Sequence, residues 1–66
     1  MFDPKTFIPE LGKYSLVRVT PRKDAVKIGE YMIAVTVAKD FEKKKKQWPN
    51  NRFFRVNTDG DATELR

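Results

Sequence analysis

Neither cysteine nor histidine occurs anywhere in this sequence. A chain of 66 residues buries only about 60% of the surface its unfolded form exposes. Domains this small often add a disulfide or a structural metal as a staple. This chain lacks the residues for either kind, since zinc and iron–sulfur sites are built on Cys and His. It must hold itself together by one packed apolar core, in a single small domain spanning residues 1–66. A deep cavity would hollow that core, so the expected working surface is flat or convex, with no small-molecule substrate.

The same absences narrow the chemistry. A Ser-His-Asp or Cys-His arrangement is impossible. The three glycines stand isolated at 12, 29 and 60, so there is no phosphate-cradling loop. Asp59, Asp61 and Glu64 lack the spacing of a calcium loop. The expectation is a non-catalytic protein with no metal and no cofactor. Absent cysteine fits a reducing compartment. Met1-Phe2-Asp3-Pro4-Lys5 lacks the basic-then-apolar order of a signal peptide. The longest mostly apolar run, Tyr31 to Ala38, falls far short of the roughly 20 residues of a membrane span. A cytoplasmic protein without membrane contact is expected.

Local patterns then order the chain. Residues 1–13 read as an N-terminal arm with a short helical turn, started by Asp3 as N-cap and Pro4 at the first helical position. Residues 14–20 are rich in β-formers. Residues 20–24 read as a turn, 25–28 as a short strand, and Gly29 as a bulge. Residues 31–38 are apolar on both faces of an alternating pattern, which predicts a central strand. Residues 40–48 predict a short helix, capped by Asp40 and stopped by Pro49. Residues 52–57 predict another strand, 59–61 a turn, and 59–66 a frayed tail. The fold class expected is α+β: a small antiparallel sheet of three to four strands with one short helix packed on it, in the order β-(β)-β-α-β. The alternative is an all-β fold with a basic loop at 39–51.

Charge is concentrated. Residues 39–55 hold seven cations against two anions, so this stretch carries the whole net charge of +5. Such a local excess suggests an anionic partner. Within it, Lys43, Lys44, Lys45 and Lys46 fan over about 300° of a helix at about 100° per residue. Phe41 and Trp48 are seven apart and share a stripe, with the stems of Lys44 and Lys45 beside it. Phe41 and Phe54 are expected in the core, sealing the helix to the sheet. Phe53 sits opposite Phe54 on the strand.

Two binding functions follow. In the first, Lys43–Lys46, Arg52 and Arg55 neutralise phosphates of a nucleic acid, Trp48, Phe53 or Tyr14 stacks on unpaired bases, and Asn50 and Asn51 donate hydrogen bonds. Lysine outnumbers arginine there by five to two, so little sequence specificity is expected. In the second, the segment docks on an acidic surface of a larger host enzyme or complex, as an inhibitor or adaptor. Compact, catalytically empty domains of this style are common among phage and mobile-element accessory proteins, an analogy of size alone. An exposed edge of 14–20 or 52–57 would offer a further docking strand.

Overall fold

The computed structural model describes residues 2–66. A short 3-10 turn, Pro4–Phe7, opens the chain, and Asp3 caps it by accepting from the Lys5 backbone N–H at 3.0 Å. Four strands follow, β1 (Tyr14–Val19), β2 (Ala25–Tyr31), β3 (Arg52–Val56) and β4 (Ala62–Leu65), with one helix, α1 (Ala34–Gln47), between β2 and β3. All pairings are antiparallel and the sheet order is β2-β1-β3-β4. The α+β class with one helix packed on a small antiparallel sheet is therefore present.

Two elements differ from expectation. Residues 34–38 begin the helix instead of completing a central strand, and α1 starts six residues before the expected cap at Asp40. Packing explains this. Val37 and Phe41, four apart, drop into the core at 1% and 4% exposure. The β-branched residues Val35, Thr36 and Val37 cost a helix only a few tenths of a kcal/mol each. Ile33 stands at the N-cap without a side-chain hydrogen bond, and no acidic residue lies in the first turn. The last turn carries Lys44, Lys45 and Lys46, the favourable end of the dipole for cations. The second difference is β4, which forms within the expected frayed tail by pairing Phe53 with Leu65 and Phe54 with Glu64. The turn before it holds Gly60 at φ +86°, a left-handed conformation suited to glycine.

The strand register decides the two faces. Cross-strand partners share a face. Leu16, Phe53 and their neighbours Arg18 and Arg55 therefore face α1, where Leu16, Val37, Phe41 and Phe53 form the core cluster. Tyr14, Ile28, Tyr31, Trp48 and Leu65 pack around it. Ser15, Val17, Val19, Phe54 and Val56 face the other way. The N-terminal arm covers that side: Phe2 lies on Phe54 with ring centroids 4.7 Å apart and meets Phe7 edge-on at 6.0 Å. Phe54, expected to seal the helix, seals the arm instead, and Phe53 takes its place.

β1 and β3 are both central, so neither offers a free edge; the edges are β2 and β4. The expected bulge is found where Leu16 meets Gly29 and Val17 meets Lys27, leaving Ile28 as the extra residue inside one continuous β2. It places Lys27 and Glu30 on one face, where they pair at 2.7 Å. A bulge and a charged pair of this kind discourage edge-to-edge association.

Gly29 also clears room for Tyr31, whose hydroxyl would lie 2.5 Å from a Cβ built there. That hydroxyl donates to the Asp40 carboxylate and ties β2 to α1. Burial pushes the phenol well above its usual value, and Asp40 pushes it further. Gly29→Ala is expected to cost about 1–3 kcal/mol through overpacking. Tyr31→Phe should cost about 1.5 kcal/mol through the lost charge-assisted hydrogen bond. In a double-mutant cycle read by urea denaturation the two should couple, with Gly29→Ala cheaper once the ring is released from Asp40.

Candidate functional site

The basic segment spans three places in the fold. Lys43, Lys45 and Lys46 lie exposed on α1, as does Lys39 one turn earlier, while Lys44 is half-buried. The inward stripe is Ala34, Val37, Phe41, Lys44 and Trp48, at steps of three and four. Opposite it, Lys39, Lys43 and Lys46 fall within a sector of roughly 60° and climb about 10 Å along the axis. Among the described residues none of these three makes an ion pair. Lys45 turns back, its ammonium 5.7 Å from the Phe41 ring centre.

The aromatic candidates are committed elsewhere. Phe53 is 1% exposed and meets Phe41 edge-on, with centroids 5.5 Å apart, so it presents no ring to a base. Trp48 is half-buried, and the Arg18 guanidinium sits 4.3 Å from its ring centre. Tyr14 is half-buried under Arg55 at 5.4 Å. Arg18 also donates through Nη1 to Asn51 Oδ1 at 3.0 Å, which fixes the turn after α1. Asn50, beside it, is exposed.

The arginines are likewise engaged. Arg55 faces the helix side of the sheet, whereas Arg52 projects from the reverse side and pairs with Glu64 through two hydrogen bonds of 2.9 and 2.7 Å. Those bonds hold the Glu64 carboxyl down at about 2, with Arg66 at 3.5 Å assisting, and raise Arg52 above its ordinary value. Asp59, Asp61 and Glu64 do not gather: among the described residues no group of three or more acidic side chains is placed to hold a metal ion. Nor is any helix long and apolar enough to cross a membrane.

The structure thus brings together Lys43 and Lys46 of the expected site, while Lys45 turns back toward Phe41. It adds Lys39 to their face and separates them from Phe53, Arg52 and Arg55. Lys39 was legible only with the true helix start, which places it at the first position of an i, i+4, i+7 series. No family model matches this chain, and no curated protein or solved structure matches it.

The Arg52–Glu64 pair gives an acid signature. Glu64 is depressed from 4.5 to about 2. Its contribution to stability is therefore full above about pH 4.5 and is lost as pH falls toward 2. In thermal melts followed by circular dichroism, the Tm gap between wild type and Glu64→Gln should be constant above pH 5 and close progressively below it. A gap that stays open at pH 2 would show that the pair is not its source.

Proposed function

We propose that this chain is a non-catalytic protein that binds nucleic acid through phosphate contacts, with little sequence specificity. The supporting observation is the stripe of Lys39, Lys43 and Lys46, exposed, unpaired among the described residues, and directed away from the core. Ammonium groups spaced along one side of a helix follow a line of phosphates and displace its counterions. They carry no planar fork to read base edges. Stacking by Phe53 has no part in this reading, because that ring is enclosed by the core.

A second reading has an observation of its own. Met32, Ile33 and Val35 are exposed by 73%, 62% and 61% at the start of α1, and Val35 lies four residues before Lys39. Apolar residues continuous with a basic stripe suit a protein surface whose apolar centre is rimmed by acidic side chains.

Fluorescence anisotropy with a labelled oligonucleotide, titrated across salt, separates them. Replacing Lys39, Lys43 and Lys46 with Gln should weaken binding at low salt. It should also lower the slope of log K against log salt by about 2, at roughly 0.7 per phosphate for a single strand. An unchanged slope counts against the stripe. No binding of wild type even at low salt moves the stripe to the acidic-protein reading.

A further inference from the structure

On the reverse side of the sheet, where Phe2 meets Phe54, lies a cleft of about 290 Å³. Its apolar part is Phe2, Phe54 and Val19; its polar part is Lys23, Asn50 and Arg52. Ligand sites usually run from roughly 300 to 1,000 Å³. A cleft at the small end takes one planar ring system with a short substituent, and no extended small molecule.

Lys23 and Asn50 are positioned by the backbone of their turns, and Arg52 by its side-chain bonds. Lys23 is a non-glycine residue at φ +70°. The turn imposes that conformation: Lys23 N–H donates to the Thr20 carbonyl at 2.8 Å, and Thr20 N–H donates to the Asp24 carbonyl at 2.9 Å. The Thr20 hydroxyl accepts from the Asp24 N–H at 3.2 Å. A left-handed lysine costs of order 1 kcal/mol. Its surroundings over-determine it, and it stands at the rim of the cleft. Arg52 gives Nε and Nη2 to Glu64, which parks its guanidinium 5.3 Å from the Phe54 ring centre and leaves Nη1 without a partner among the described residues. Asn50 is exposed in the turn that joins α1 to β3, four residues after Lys46.

From this the geometry points to a nucleotide site: the cleft receives one unpaired base of a single strand whose phosphates run along the lysine stripe. The base enters between Phe2, Val19 and the edge of Phe54, whose ring faces are taken by Phe2 and Arg52; the Asn50 amide meets its polar edge, and Lys23 and the remaining Nη1 of Arg52 hold the adjoining phosphate. The path from stripe to cleft goes over the α1–β3 turn, so one strand reaches both surfaces without crossing the core. The inference rests on the nucleic-acid reading and adds to it a preference for single strands, since a paired base cannot enter. It also supplies an apolar contact to a base, at the edges of Phe2 and Phe54, that the enclosed Phe53 and the covered Trp48 do not.

The test compares a labelled oligo-dT of 15 nucleotides with a duplex of equal length, using Phe54→Leu, Lys23→Gly and the Lys39/Lys43/Lys46→Gln variant. Lys23→Gly removes the charge and suits the left-handed backbone. Loss of the aromatic wall of the cleft predicts that Phe54→Leu weakens oligo-dT binding roughly fivefold or more while duplex binding changes less than twofold. Lys23→Gly should weaken oligo-dT binding and leave the melting temperature intact. Because Phe54→Leu also disturbs the seat of the arm, wild-type protein titrated with oligo-dT is followed in parallel by amide chemical shifts. The expected shifts lie at Thr20, Lys23, Asn50 and Phe54. If the stripe variant weakens binding while both cleft variants bind oligo-dT normally and those amides stay still, the cleft site is overturned and the stripe stands. If wild type binds neither probe at low salt, the nucleic-acid reading and the cleft site fall together.

Discussion

The edge-to-face contact of Phe41 with Phe53 is the joint on which the molecule depends. A helix of 14 residues is marginal in water. This one begins without a side-chain cap, an omission worth about 1 kcal/mol. It persists because Val37 and Phe41 bury almost completely against Leu16 and Phe53. Full burial of each such side chain returns about 1.5–3 kcal/mol. The same contact sets the rotation of the helix. With Phe41 fixed inward, Lys39, Lys43 and Lys46 have no choice but to face out.

Charge of one sign performs two different tasks here, divided by residue type. Arg18, Arg52 and Arg55 each lie over an aromatic ring, at 4.3, 5.3 and 5.4 Å. A guanidinium is weakly hydrated and planar, so it stacks on rings and closes the edges of a small core. An ammonium is strongly hydrated and stays in water on a flexible stem. Among the exposed lysines of α1, only Lys45 leans back on a ring. Net charge therefore overstates what is available to a partner: within residues 39–55 the arginines are held against rings, Arg52 keeping only Nη1 without a partner among the described residues, and the lysines carry most of the field.

The parts of the fold readable in the sequence are those governed by local chemistry. Asp3-Pro4, the 20–24 turn and the Asp59-Gly60 turn each depend on one or two residues with a specific backbone preference. The start of α1 does not. Residues 31–38 satisfy a period of two as well as they satisfy 3.6, and their β-branched members tilt the reading toward a strand. Only the partner across the core, Phe53, decides for a helix. Whether Phe53 or Phe54 faces that helix depends in turn on the pairing of Arg18 with Phe53, a register between residues 35 positions apart. The four residues of β4 carry no periodic signal; Leu65 beneath the core and Glu64 beside Arg52 hold them. For the site, the outward turn of Lys43 and Lys46 was legible from helix geometry, and the addition of Lys39 to their face was not. The cleft was invisible, because it joins Phe2, Lys23 and Arg52 from three distant segments.

The α1–β3 turn connects the helix face with the reverse face, and a single residue of β1 governs its shape. Arg18 reaches from the middle of the sheet to cover Trp48 and to hold Asn51, while Trp48 N–H closes the last helical turn on the Lys44 carbonyl at 2.8 Å. Asn51 N–H then donates to the Trp48 carbonyl at 3.2 Å. The turn is thus tied at both ends, and Asn50 is the residue it presents outward. A partner that touches the lysine stripe and the reverse cleft together must follow this turn. The separation between the two surfaces is set by a half-buried arginine that ties the turn at both ends.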